Sequence, residues 1–273
     1  MRLAQNSLSY RSSVAAASDF LALHHGPGFV LPNAWDVGSA LAFADAGFPA
    51  VGTTSFGIAA SAGMPDGGGS SKAATIALAA RLRHLSVHLT ADVEDGYSDD
   101  PAEVAEFVAE LRALGVAGIN LEDSRDGHLV ATSTASGKIT AVKRLSPNIF
   151  VNARVDNFWF AEQATVEEVL LRARAYADAG ADGIFVPGLV NPEDIRRITA
   201  YVALPVNVLA HPSLTVAELG DLGVKRVSSG SLPYRAAIDR AVDTVTALRD
   251  NRQTPTATSY WDLQARLVTF SRL

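Results

Sequence analysis

Cysteine is absent from the 273-residue chain, which excludes disulfides, cysteine-ligated metal sites and thiol catalysis. Lysine is scarce: Lys72, Lys138, Lys143 and Lys225 are the only four. None falls within a predicted strand, so a Schiff-base aldolase has no nucleophile. No run of Lys or Arg occurs and the net charge is −6, which argues against nucleic acid or an anionic membrane as partner. No stretch reaches the roughly 18 uninterrupted apolar residues of a membrane span. The amino terminus, Met1-Arg-Leu-Ala-Gln-Asn-Ser7, lacks the basic-then-apolar pattern of a secretory signal. A cytoplasmic protein is the expectation. What the chain does have is apolar sequence, 48% of its residues, enough for one large core.

Apolar runs and glycine-capped amphipathic segments alternate along the chain. A helix is predicted over 12–24, started by Ser12 or Ser13, then a strand Phe29–Asn33 and a helix from Asp36 to Ala46 closed by Gly47. Strand Ala50–Thr53 leads into a glycine-rich loop, Thr54 to Ser71, followed by helix 72–85. Further strands are predicted at Val87–Glu94, Gly118–Glu122, Ile149–Arg154, Gly183–Val186, Pro205–Val208 and Arg226–Ser228. Helices 102–114, 138–145, 165–179, 192–201 and 215–221 separate them, and helices 233–250 and 258–270 end the chain. A second irregular loop is expected from Asp123 to Gly137. Eight strand–helix units point to a single (β/α)8 barrel spanning 1–273. The alternative, a doubly wound open sheet, lacks a Gly-x-Gly-x-x-Gly in its first βα turn.

In a barrel the active site lies at the carboxyl ends of the strands. Those ends carry Asn33; Thr53, Thr54 and Ser55; Asp92 and Glu94; Asn120 and Glu122; Asn152 and Arg154; Asn207; Ser228 and Ser229. Three strands place polar residues at i and i+2, which share one face. Asp92 and Glu94 on one face need a cation or an arginine between them. Oxygen donors alone suit Mg²⁺ or Mn²⁺, which polarise a carbonyl oxygen and stabilise an enolate. Arg154 suits a substrate carboxylate or the same developing oxyanion, and the Thr53-Thr54-Ser55 turn a second anionic group. Asn207 is a further substrate-binding candidate. The other reading of the charged set is a buried structural ion cluster, and of Asn33, Ser228 and Ser229 simple helix caps.

The phrases Leu31-Pro-Asn-Ala-Trp-Asp36, Ala46-Gly-Phe-Pro-Ala-Val-Gly-Thr-Thr-Ser55, Gly63-Met-Pro-Asp66, Asp92-Val-Glu-Asp-Gly-Tyr97, Gly118-Ile-Asn-Leu-Glu-Asp123, Asn152-Ala-Arg-Val-Asp156 and Ala179-Gly-Ala-Asp-Gly-Ile184 occur in one order. In these the chain resembles the isocitrate lyase / phosphoenolpyruvate mutase superfamily over almost its whole length. The resemblance implies a barrel whose last helix is exchanged with a neighbouring subunit. It also implies a homo-oligomer, dimer or tetramer, with the helices of about 233–273 in the contact. It implies Mg²⁺, a small carboxylate substrate, and an enolate derived from a 2-oxo acid. Asp92, Glu94 and Glu122 then match the acids around the metal, and Asp66 the acid that orders water there. Thr53, Thr54 and Ser55 match the carboxylate-binding turn, and Arg154 the arginine at the oxyanion.

The departures bear on the reaction. Isocitrate and methylisocitrate lyases carry Lys-Lys/Arg-Cys-Gly-His after the fourth strand, where this chain reads Ser124-Arg-Asp-Gly-His-Leu-Val-Ala-Thr-Ser-Thr-Ala-Ser-Gly137. The lysine and asparagine of the mutases and phosphonopyruvate hydrolases are missing there too. The chain thus falls outside those branches. His128 is the one residue of that loop that titrates near neutrality, so with Arg154 and Glu122 it completes the catalytic candidates. His211 and Tyr97 are further proton donors to weigh. The leading reading is a Mg²⁺-dependent lyase acting on a C–C bond of a 2-oxo or 2-hydroxy di- or tricarboxylic acid. An oxaloacetate-type decarboxylase or hydrolase, a phosphonopyruvate P–C enzyme and a non-catalytic 2-oxo acid binder are the alternatives.

Overall fold

In the computed structural model, residues 19–273 are described. The expected start of a helix at Ser12 or Ser13 lies outside them; residues 19–23 are helical. The main sheet is wholly parallel, in the order β1-β11-β10-β9-β8-β5-β4-β3-β2. Its two ends are adjacent pieces of chain: β1 (Phe29–Leu31) pairs with β11 (Arg226–Ser228), while β2 (Asn33–Ala34) pairs with β3 (Ala50–Thr53). Pro32, which has no N–H to donate, separates the two halves, and its carbonyl accepts from Gly52 N at 2.8 Å. The sheet therefore returns on itself as a (β/α)8 barrel, the expected fold class.

The other barrel strands are β4 (His88–Asp92), β5 (Gly118–Glu122), β8 (Phe150–Arg154), β9 (Gly183–Phe185) and β10 (Val206–Leu209). The helices between them are α1 (Val37–Asp45), α2 (Ser55–Ser61), α3 (Lys72–Leu82), α4 (Pro101–Ala113), α5 (Thr132–Leu145), α6 (Val166–Asp178), α7 (Pro192–Tyr201) and α8 (Val216–Asp221). Helix α4 shows why the alternation holds. Asp100 caps it by accepting from Ala102 N, Pro101 opens it, and Val104, Val108 and Leu111 bury one stripe.

The amino ends of the strands are plugged. Phe20, Leu31, Ala50, Ala117 and Phe150 form a separate apolar cluster there. His24 stacks on Phe150 with ring centroids 4.0 Å apart, and burial pushes its pKa down to about 3, so it stays neutral. Above the plug lies a polar layer in which Asn152 donates to Asn120 at 2.9 Å and Arg226 donates to the same oxygen.

Three local expectations are corrected. The Thr54–Ser71 loop contains α2, which begins at Ser55 because Thr54 caps it. The Asp123–Gly137 loop is instead a tight hairpin, β6 (Ser124–Arg125) with β7 (His128–Leu129), followed by α5 from Thr132, six residues before the predicted start. Strand β4 ends at Asp92, and Glu94 is left-handed at φ 50°, so strand alternation does not relate the two acids.

At the carboxyl end of the chain, α9 (Leu232–Arg249) buries only Ala247, and α10 (Tyr260–Phe270) buries no residue. Within the chain α10 rests on the barrel through Phe270 and an Arg266–Asp45 ion pair at 2.5 Å.

Candidate active site

The mouth of the barrel opens into a cavity of about 680 Å³, a size that suits a small metabolite. Its walls come from α2 and the glycine turn after it, the β4–α4 loop, the ends of β5 and β8, the β6–β7 hairpin and the segment after β8. Six carboxylates line it, Asp66, Glu94, Asp95, Asp99, Glu122 and Asp126, against two guanidiniums, Arg125 and Arg154. A small anion meets a repulsive field there unless a cation enters with it.

Arg154 ends β8 as the register partner of Glu122 on β5. Its Nη1 lies 2.7 Å from Glu122 Oε2 and its Nε donates to Asp156 Oδ1 at 2.6 Å. Trp159 and Phe185 pack on the guanidinium at 5.7 and 5.9 Å. Burial alone would lower the Arg154 pKa, but Glu122, Asp156 and Asp92 hold it above its ordinary value. Glu122 is raised well above 4.5, by burial first and then by Asp156, Asp92 and Glu94. Burial outweighs the pull of Arg154 on Glu122.

A second layer fixes this pair. Asp156 accepts from Ser124 Oγ, and its own N–H donates to Asp123 Oδ1 at 2.9 Å. Asp123 Oδ2 takes hydrogen bonds from Tyr176 at 2.6 Å and Arg172 at 2.8 Å. Helix α6 is thereby tied to the arginine at the mouth.

The other acids are held individually. Asp92 Oδ2 accepts from Ser55 N and Oγ at 3.1 and 2.9 Å, and Ser55 Oγ also lies 3.4 Å from Asp66 Oδ1. Glu94 accepts from Ser71 Oγ at 2.6 Å and Gly69 N at 3.2 Å, and Tyr97 O–H joins the same serine at 2.8 Å. Burial, then the charge of Asp92, raises the Asp66 pKa. Burial, less its hydrogen bonds and plus the charges of Asp92 and Asp66, raises Glu94.

Of the residues expected at the site, Ser55, Asp66, Glu94, Tyr97, Glu122 and Arg154 line the cavity, and Asp92 stands behind Ser55. The rest do not. Thr53 Oγ1 accepts from Asp92 N at 2.9 Å, and Thr54 caps α2, so both hydroxyls support backbone. Asn207 is buried inside the barrel, accepting from Ser228 at 3.0 Å. The His128 side chain is 84% exposed, 3.5 Å from Glu162, because the hairpin carries it to the solvent side. His211 shapes its loop, accepting at Nδ1 from Ser213 and Leu214 N–H groups and bonding Val190 O through Nε2. Conversely, Asp95, Arg125, Trp159 and Phe160 line the cavity without having been expected there. Arg125 had a legible signal: it precedes Asp126-Gly127, the two-residue turn sequence of a tight hairpin.

Among the described residues, no group of three or more His, Cys, Asp or Glu side chains is arranged to hold a metal ion by direct ligation. The donors are hard oxygens that raise one another's pKa values. That chemistry fits an ion held by one or two carboxylates with water completing its shell, as Mg²⁺ prefers.

Fold and site together define an α/β barrel with an acidic, arginine-bearing mouth. The family described as phosphoenolpyruvate phosphomutase matches residues 20–249, and the chain belongs to it, within the isocitrate lyase / phosphoenolpyruvate mutase superfamily. It is 49% identical to an uncharacterized protein of Mycobacterium tuberculosis over 91% of this chain and 95% of that one. It is 32% identical to the 2,3-dimethylmalate lyase of Eubacterium barkeri over 82% and 83% of the two chains. The structure of phosphoenolpyruvate phosphomutase from Streptomyces platensis subsp. rosaceus superposes with a TM-score of 0.82 at 26% identity, covering 94% and 97%. These named relatives include a lyase and a mutase, so the family is one of enzymes. No helix among the described residues is long and apolar enough to cross a membrane.

Proposed function

We propose that the protein is a Mg²⁺-dependent lyase acting on a C–C bond of a 2-oxo or 2-hydroxy dicarboxylic acid, with enolate character developing at the bond-breaking step. The observation that carries this is the convergence of Asp66, Asp92, Glu94 and Glu122 at one mouth with Arg154 as the guanidinium between them. Asp92, Glu94, Glu122 and Asp66 would hold the ion, directly or through water; Mn²⁺ suits the same donors. When bound, the ion supplies a Lewis acid for the 2-oxo oxygen. Arg154, fixed by Asp156 and stacked on Trp159, presents N–H donors to a carboxylate or to the developing oxyanion. Ser55 N–H and Oγ–H keep Asp92 in place. The similarity to 2,3-dimethylmalate lyase supports this reaction class.

One observation favours a second reading, an oxaloacetate-type decarboxylase. Retro-aldol cleavage of a 2-hydroxy acid needs a base for the hydroxyl proton, and His128 stands outside the cavity. Loss of CO₂ from a 3-carboxyl group leaves the enolate without that base, and a solvent proton completes the product. The test is a panel of 2-hydroxy and 2-oxo acids assayed with Mg²⁺ for pyruvate, glyoxylate or CO₂ release. Activity lost with chelator and in Glu122→Gln supports the proposal; turnover that survives both changes overturns it.

We also read the bare faces of α9 and α10 as the contact with a second copy of the chain, giving a dimer or tetramer. Ile238, Val242, Val245 and Leu248 are all at least half exposed on α9, and Tyr260 and Trp261 are exposed on α10.

A further inference from the structure

Arg125 is the one cationic side chain of the cavity that this reading leaves without a task. It sits on β6 just before the Asp126-Gly127 turn, whose φ angles of 51° and 82° make the hairpin tight enough to present it over the cavity. Its guanidinium spans two acids of the opposite loop: Nε donates to Asp95 Oδ2 at 2.6 Å, and Nη1 pairs with Asp99.

The two acids differ. Asp95 is 10% exposed and is already claimed by Lys138, whose buried Nζ lies 3.2 Å from the same Oδ2 and donates to Asp95 O at 2.8 Å. Two cations therefore share one buried carboxylate, leaving a local excess of one positive charge. Asp99, 80% exposed, supplies the balancing anion. A surface carboxylate in that position is weakly held and readily exchanged for another anion.

The cavity is consequently polarised. Asp66, Glu94 and Glu122 gather at one end, while at the hairpin end Arg125 and Lys138 offset Asp95 and the exposed Asp126, so that Nη1 of Arg125 has no carboxylate partner once Asp99 leaves. We propose that Arg125 is the specificity-determining residue for the substrate's distal carboxylate, and that Asp99 occupies that carboxylate's place in the free protein. This rests on the 2-oxo acid reading above, which sets the other end of the substrate at Arg154 and the acids. It adds the residue that selects dicarboxylates over monocarboxylates. Nε and Nη2 of Arg125 stay on Asp95, whose charge Lys138 shares, and the Nη1 edge is the one that pairs with an incoming anion.

Calorimetric titration with Mg²⁺ present tests this on wild type, Arg125→Gln, Arg125→Lys and Asp99→Asn. The probes are oxalate, 2-oxoglutarate and 2-oxovalerate, the last two differing chiefly in the distal carboxylate. Wild type should favour 2-oxoglutarate over 2-oxovalerate by about tenfold or more, the scale of one charge-assisted pair. Arg125→Gln should bring the ratio close to one while leaving oxalate affinity unchanged, and Arg125→Lys should keep part of it. Asp99→Asn should tighten 2-oxoglutarate alone. If Arg125 merely pins the hairpin, all three probes weaken together in Arg125→Gln and the ratio holds, which overturns the proposal. Absence of any preference in wild type overturns it too. Failure of wild type to bind oxalate with Mg²⁺ would instead overturn the functional reading beneath it.

Discussion

Arg154 and Glu122 are register partners on adjacent parallel strands, and their side chains meet at 2.7 Å with both nearly out of solvent. Asp156 takes the other edge of the same guanidinium. Removing the arginine leaves two inward carboxylates with no cation. Arg154→Met should cost on the order of 3 kcal/mol at neutral pH, the scale for stripping one partner from a buried pair. The loss should shrink as pH falls, because the orphaned acids take up protons. Denaturant unfolding at pH 7.5 and pH 5 checks this; an equal loss at both would show that packing, not charge, is what Arg154 supplies.

The raised pKa values of Asp66, Glu94 and Glu122 carry a pH dependence whose sign is fixed. Burial is the first cause for each, so the folded protein keeps protons that the unfolded chain, at ordinary values of 3.8 and 4.5, has lost. Stability of the metal-free protein should therefore fall as pH rises from about those values through the raised folded ones. A divalent cation favours the ionised forms, so Mg²⁺ affinity should rise with pH over the same window and binding should release protons. Titrations in two buffers of different ionisation enthalpy measure that release. Affinity independent of pH, with no proton release, would remove these acids from the ion's surroundings.

How far the sequence carries depends on which rule each residue obeys. Asn120 with Glu122 and Asn152 with Arg154 sit within strands, so a period of two correctly predicted a shared inner face, and the register pairs them in two layers. Asp92 and Glu94 show the same spacing, but β4 ends between them. Glu94 reaches the mouth through a left-handed turn and is caught by Ser71, a contact that depends on tertiary structure. The case for His128 rests on its chemistry alone, and chemistry does not say which side of a hairpin faces solvent. Lys138 lay at the supposed start of a helix; α5 begins earlier and places it well inside, buried against Asp95.

Two glycines of the mouth should respond differently to alanine. Gly127 has φ 82° with nothing within 4 Å of an added Cβ, so Gly127→Ala should cost only the backbone strain, about 1 kcal/mol. Gly96 has φ 88°, and its Cβ would stand 2.6 Å from Val104 Cγ1 in the core. Gly96→Ala adds overpacking to strain, about 2–4 kcal/mol together, and should disturb the loop that carries Glu94 and Asp95. Equal unfolding free energies for the two variants would contradict this account of the loop.

Helix α9 offers the last prediction. Ile238, Val242 and Val245 recur at intervals of four and three residues, which places them on one face of the helix, and each is at least half exposed. Such a stripe is costly to leave in water, and a second copy of the chain carries the same stripe to set against it. Val242→Asp with Val245→Asp should leave the barrel folded, since neither residue is buried, while placing like charges at the contact. Sedimentation velocity should show the wild-type oligomer replaced by a monomer with unchanged circular dichroism. A monomeric wild type, or an oligomer untouched by both aspartates, would show that α9 is not the contact.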